Sequence, residues 1–268
     1  MQLFYREYGE QGPTLVILHG LYGASDNWVS IARQLSSDYR IFLVDQRNHG
    51  QSPHHDTHDY ECMTQDLLEF LDNQKIDKAH LVGHSMGGKT AMRFALEHPE
   101  RIHKLVVLDI APKSYATFSN YAQITNNHEH IINSLLELQP ENAETRQAID
   151  QALALKLPND ELRHFLLKNI ERTKDGHYRW RLNLPVIKKT LPIIMDGFSH
   201  LNPDEHKTNI PAIFIRGEKS DYVMDEDSLI IRKLFKDAEV VSIPNAGHWL
   251  HAQQPALLIK TLAYFLLD

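Results

Sequence analysis

The chain is predicted to be an α/β protein with a mostly parallel sheet covered by helices on both faces. Short runs rich in Val, Ile and Leu are bounded by turn residues, as parallel strands buried on both faces are. Stretches of helical period fall between them, so strand and helix alternate along the chain. The alternation breaks only once.

The strand candidates are Thr14–Leu18, Arg40–Val44, 80–82, 104–108, 212–215 and Glu239–Ile243. The helix candidates are 28–35, 60–71, 86–97, 227–235 and 255–267. Between Pro112 and Asn209 the sequence offers helical segments at 131–138, 143–157 and 161–170 and no convincing buried strand. Lys174-Asp175-Gly176-His177 reads as a turn leading into a short strand at 178–182, and Pro185 and Pro192 bracket one or two more helical turns. The expected organisation is a core of residues 1–111 and 210–268 with a helical cap, 112–209, inserted in it. Such a block would cover the strands' carboxyl edge, where open α/β sheets bind ligands.

The length of 268 residues suits that plan at about 150 residues per domain. With 42% hydrophobic and 24% charged residues the chain is an ordinary globular sequence, neither disordered nor fibrous. A net charge of −7 disfavours a nucleic-acid partner. Apolar runs such as 15–18 and 105–108 fall far short of the ~20 residues a membrane span needs, so no membrane insertion is expected. The single cysteine, Cys62, suits a reducing compartment, and the N-terminus reaches charge too early for a secretory segment. The expected location is the cytoplasm.

Gly83-His84-Ser85-Met86-Gly87 matches the G-x-S-x-G nucleophile elbow, with a strand running in and a helix running out. The spacing has a steric cause. The serine sits on a sharp, strained turn, and side chains two before or two after it would collide with neighbouring elements. The helix that follows directs its N-terminus at the serine and favours negative charge developing there. His19-Gly20-Leu21 follows the first buried strand, so the Leu21 and Met86 N–H groups are the expected oxyanion donors. Among 17 histidines, His248 stands out: it follows the last strand in Asn245-Ala246-Gly247-His248-Trp249, where a loop can return an imidazole to Ser85.

Taken with Asp45-Gln46-Arg47-Asn48-His49-Gly50-Gln51-Ser52, these elements resemble the α/β-hydrolase superfamily along essentially the whole chain. Three shorter strings, 108–112, 178–184 and 245–249, resemble bacterial acyl-CoA esterases of the YbfF type and their mitochondrial relatives. The resemblance implies a serine hydrolase of carboxylic esters or thioesters, with acyl-CoA among its substrates and no cofactor. It also implies an acid in the loop after the strand preceding the His-bearing strand, commonly as G-x-x-D. Here that loop reads Gly217-Glu218-Lys219-Ser220-Asp221, so Ser220 takes the expected place and Asp221 lies one residue late. Asp109, immediately after the strand that neighbours the nucleophile strand, is the other candidate and is placed slightly ahead.

Asp45 and Arg47 read as loop organisers rather than reacting groups. His54, His55, Asp56, His58 and Asp59 lack metal-ligand spacing and follow Pro53, so a solvated loop and no metal site is expected. Residues 112–211 carry twelve basic and twelve acidic residues, which puts the whole net charge on the core. Within them, 163–189 holds eight basic residues against Glu171 and Asp175. Arg179, Trp180 and Arg181 are therefore candidates for holding the nucleotide end of an acyl-CoA, the other reading being a solvated basic face. Ser85 argues against the dehalogenase and epoxide-hydrolase versions of the fold, which carry aspartate at the elbow. A C–C bond hydrolase, a lyase-type synthase and a ligand receptor with little turnover remain open on the same fold.

Overall fold

The structure, a computed structural model, describes residues 1–116, 122–198, 201 and 206–267. The expected cap segment therefore lies outside the described residues at 117–121, 199–200 and 202–205. The strands are β1 (Tyr5–Tyr8), β2 (Thr14–Leu18), β3 (Arg40–Val44), β4 (Ala79–His84), β5 (Ile102–Leu108), β6 (Ile170–Arg172), β7 (Tyr178–Trp180), β8 (Ala212–Gly217) and β9 (Glu239–Ile243). The helices are α1 (Val29–Leu35), α2 (Tyr60–Asn73), α3 (Met86–Glu97), α4 (Ala122–Glu137), α5 (Arg146–Ala154), α6 (Asp160–Leu167), α7 (Leu184–Asp196), α8 (Asp227–Leu234), α9 (Leu250–Gln253) and α10 (Pro255–Leu266).

Among the described residues the main sheet has seven strands in the order β1-β3-β2-β4-β5-β8-β9. Only β1 runs antiparallel, pairing Tyr5 with Val44 and Tyr8 with Ile41. This edge strand is missing from the strands expected above. Its sequence, Tyr-Arg-Glu-Tyr, has no apolar run because it is half-exposed, and Tyr5 anchors it on Phe42 and Phe70.

The period of two explains the layers. Leu15, Ile17, Ile41, Leu43, Val106 and Leu108 face α1 and α10, where Ile31, Leu35, Leu258 and Leu262 complete one core. Val16, Leu18, Phe42, Val44, Leu105 and Val107 face the other way, onto Leu67, Phe70, Phe94 and Ala95 of α2 and α3. Each such side chain, taken fully out of water, contributes roughly 1.5–3 kcal/mol. The second core runs on without a break into Ile132, Leu135, Leu153, Leu166, Ile187 and Leu191 of the segment between β5 and β8.

That segment differs in detail from its expected outline. The helix expected over 161–170 ends at Leu167, and Ile170–Arg172 pairs instead with Tyr178–Trp180 as a small antiparallel sheet. The one or two turns expected between Pro185 and Pro192 are a 13-residue helix, α7. Pro185 sits in its first turn, where a missing N–H costs nothing, and Gly197 stops it at a φ of +70°. Thr145 Oγ1 and Asn159 Oδ1 cap α5 and α6, accepting from the amides of Ala148 and Leu162. No helix among the described residues is long and apolar enough to cross a membrane.

Candidate active site

Ser85 joins β4 to α3 with φ +52° and ψ −117°, a strained backbone held by packing on every side. A Cβ on Gly83 would lie 2.3 Å from the Gly87 carbonyl oxygen, and one on Gly87 would lie 2.5 Å from those of Leu18 and His19. The elbow can turn only because both positions are bare. The Ser85 amide donates to Leu108 O (3.0 Å), which ties the elbow to the end of β5.

Asp109 follows that strand end directly and His248 lies in the loop after β9. The His248 Nε2 stands 3.1 Å from Ser85 Oγ, and Nδ1 stands 2.8 Å from Asp109 Oδ2. A carboxylate at Nδ1 selects the tautomer that carries its proton there and leaves the Nε2 lone pair facing the hydroxyl. Asp109 is fully buried and also accepts from the Gly217 amide (2.9 Å) and the Ser220 hydroxyl. Of the two candidate acids, the structure brings Asp109 to His248, while Asp221 is exposed on its turn. Ser220, at the position where the motif expects an acid, donates to Asp109 instead.

Leu21 and Met86 line a small cleft together with Ser85. A Cβ on Gly20 would meet His84 Nδ1 at 2.8 Å and Ser85 Cβ at 3.1 Å, so the loop after β2 passes directly over the serine. Among the described residues neither the Leu21 nor the Met86 amide donates to a protein acceptor. His19 and Gln46 brace this loop: the Gln46 amide donates to His19 Nε2 (2.9 Å) and its side chain to His19 O (2.7 Å). Burial holds His19 below its usual range and His49 further below, so both are neutral supports. Asp45 accepts from the amides of Ser25 (2.6 Å) and Gln51 (2.8 Å), and Arg47 makes a two-pronged pair with Asp66. These residues shape the loop and stand apart from the reacting group.

Several neighbours have no signal in the sequence. The His84 Nε2 stands 2.8 Å from the carbonyl of His248, and burial pushes this imidazole far down, so it is a neutral donor fixing the His248 loop. The Tyr222 ring stacks on His248, and its hydroxyl lies 2.9 Å from Nε2 of His128 on α4. Position within the motif marks His84 as a mere spacer, and nothing local marks Tyr222 or His128.

A cavity of about 360 Å³ opens over Ser85. Helices α4 and α6 and the α5–α6 loop roof it with Ile131, Leu157, Leu162 and Phe165, and Trp249 closes one side. The roof is thus mostly apolar, with Asn127, His128 and His130 of α4 as its polar members. Arg179, Trp180 and Arg181 do not line it; they line a separate cavity of about 530 Å³ with Gly50, His54 and Glu171. Both guanidinium groups share the Glu171 carboxylate (2.5 and 3.1 Å), so their charge is partly offset. In the histidine-rich loop His54, His55 and Asp56 are exposed as expected, but His58 is buried and pushed down to about 4 by burial.

A strained serine between strand and helix, a histidine and a buried carboxylate at one sheet edge, and an inserted helical roof define the class of α/β hydrolases. The family model for the alpha/beta hydrolase fold matches residues 13–255, and the chain belongs to that family. It is 37% identical to the esterase YbfF of Escherichia coli over 95% of this chain and 93% of that one. It is 38% identical to the sn-1-specific diacylglycerol lipase ABHD11 of Danio rerio over 96% of this chain and 79% of that one. A solved marine microorganism esterase superposes with a TM-score of 0.93 at 47% identity, covering 99% of both chains. The chain is thus an α/β hydrolase similar to named esterases over nearly its whole length.

Proposed function

We propose that the protein cleaves carboxylic esters through an acyl-enzyme formed on Ser85. The Ser85 Oγ attacks the carbonyl carbon while His248 Nε2 takes its proton, and the imidazolium formed is stabilised by the Asp109 carboxylate. The N–H groups of Leu21 and Met86 receive the oxyanion. Collapse of the tetrahedral intermediate breaks the bond to the leaving oxygen or sulfur, which takes the proton from His248. Water then attacks the acyl-enzyme while His248 Nε2 takes its proton, and collapse of the second intermediate releases the carboxylic acid as Ser85 Oγ regains a proton from His248. The observation that carries this reading is the continuous chain Ser85 Oγ–His248–Asp109, with contacts of 3.1 and 2.8 Å.

The cap, residues 112–209, supplies the apolar roof and so the acyl side of the substrate. Acyl-CoA thioesters fall within the proposed range because the cavity accepts an acyl chain and 163–189 carries a net charge of +6. Arg179, Trp180 and Arg181 would take the nucleotide end from their own cavity. The test is labelling with a fluorophosphonate, followed by an ester and acyl-CoA panel. Labelling of wild type and its loss in Ser85→Ala, together with loss of turnover, is expected. Folded protein that fails to label is a receptor, and turnover of a β-diketone but not of esters is C–C hydrolysis. Arg179→Ala/Arg181→Ala should weaken acyl-CoA hydrolysis alone; equal losses on an uncharged ester of the same acyl length would remove the anion role.

A further inference from the structure

Tyr22 lies in the loop that carries the Leu21 amide, and its backbone is in the left-handed region at φ +61°. The loop closes as a turn, with the Gly23 amide donating to Gly20 O (2.9 Å), so Leu21 and Tyr22 are its two central residues. Positive φ at the second central residue is the pattern of a type II turn, where glycine or asparagine is the usual occupant. An aromatic residue there is strained and persists only where the surroundings enforce it. Relaxation of this φ to a negative value, with the preceding peptide held by His49, would swing the Tyr22 carbonyl away and open the turn.

Every polar group of Tyr22 is engaged. Its amide donates to His49 Nε2 (3.3 Å), its carbonyl accepts from Asn169 Nδ2 (2.7 Å), and its hydroxyl donates to His128 O (3.4 Å). Two of the three partners come from the cap, and Asn169 is the shortest. Asn169 is buried between α6 and β6, and its Nδ2 also donates to Leu166 O (3.1 Å). With a carbonyl on each side, the amide can face them only with its nitrogen.

We propose that Asn169 is a positioning residue for the oxyanion loop: by holding the Tyr22 carbonyl it keeps the Gly20–Gly23 turn in its strained form and the Leu21 amide aimed over Ser85. Oxyanion stabilisation demands donors within about 2.7–3.1 Å of the developing charge, so a small relaxation of this turn is felt in the transition state. The cap thereby acts on the chemistry as well as roofing the substrate. This rests on the role proposed above for Leu21 and Ser85.

The test compares Asn169→Ala and the near-isosteric Asn169→Asp, which replaces the donor by a carboxylate facing two carbonyls. Both are assayed on a short-chain ester beside Ser85→Ala, with circular dichroism and Tm to establish folding. The expected result is kcat lower by about 10- to 100-fold with KM within about twofold. Affinity for an alkyl boronic acid, whose tetrahedral adduct is anionic, should fall in proportion to kcat. Ester affinity measured in Ser85→Ala/Asn169→Ala should equal that in Ser85→Ala. Unchanged kcat in folded Asn169→Asp overturns the proposal, as does a KM rise that accounts for the whole loss. Turnover surviving in Ser85→Ala would instead sink the underlying nucleophile assignment.

Discussion

The Tyr222 ring lies flat on the imidazole of His248, with 3.8 Å between centroids and 15° between planes. An aromatic face so placed would favour the imidazolium formed in the proposed proton transfer from Ser85, and it limits the ring's rotation away from Asp109. Tyr222→Ala should lower kcat by about 10-fold, the scale of a cation–π contact of 1–2 kcal/mol. Tyr222→Phe keeps the stack and loses only the hydroxyl contact to His128, so its kcat should stay within about threefold of wild type. Steady-state kinetics of the two variants separates stacking from hydrogen bonding. Equal losses would assign the effect to the hydroxyl.

Asp109 and Asp221 make a sharper contrast. Asp109→Asn presents His248 with an amide, which favours the wrong tautomer, and about a 10⁴-fold loss of kcat is expected by analogy with other triads. Asp221 is exposed, so Asp221→Asn should leave turnover within about twofold. The Ser220 hydroxyl is one of three donors on Asp109, and Ser220→Ala should fall between the two. Single-turnover acylation rates would check the order.

The acid limb of stability should be set by buried histidines. Burial lowers His19, His49, His58, His84, His128 and His251, to about 4 for His58 and about 3 for His128 and His251. The unfolded chain therefore binds protons first as pH falls below 6.5, so this stability is complete above 6.5 and lost progressively toward 3–4. Urea unfolding at pH 7.5, 6 and 5 should show a falling midpoint. His58→Leu should flatten that fall, because it removes one group that must be buried uncharged.

Lys89 works in a different window. Its ammonium is buried on α3 and donates to the carbonyls of Lys113 (2.9 Å), Met195 (3.3 Å) and Asp196 (3.2 Å), where it joins the nucleophile helix to the end of α7. Burial lowers it to about 7, against the pull of Asp196. Between 7 and its unfolded value of 10.5 the unfolded state holds more protons, so this group makes the fold more stable as pH rises. Lys89→Met should remove that rise. A urea series at pH 7, 8 and 9 on both proteins reads the difference, and parallel curves would sink the idea.

Much of this was open to reading from local patterns. The apolar runs mark β2, β3, β4, β5 and β8, because a strand buried on both faces has no freedom to be polar, and Val240, Val241 and Ile243 mark the half-exposed edge strand β9. The half-exposed strand Tyr5–Tyr8 escapes that rule, and so does the short pairing of Ile170–Arg172 with Tyr178–Trp180, where one strand reads as the end of a helix. His58 looks like its exposed neighbours His54 and His55, since exposure depends on what packs above it. Arg179 and Arg181 read as a basic patch because Glu171, eight and ten residues away in sequence, becomes their partner only across a strand pair.

What the sequence determined alone was the alternation of strands and helices, the family, and the elbow that places Ser85 between two obligatory glycines. Each follows from backbone sterics and side-chain period acting over a few residues. The tertiary structure decided which carboxylate meets His248, what lies against the histidine ring, and how Asn169 reaches the loop after β2. Asp109 and His248 are 139 residues apart, and Asn169 and Tyr22 are 147 apart. Such pairs are set by which strands are neighbours at the sheet's carboxyl edge and by how an inserted segment packs upon it, and no short stretch of chain encodes either.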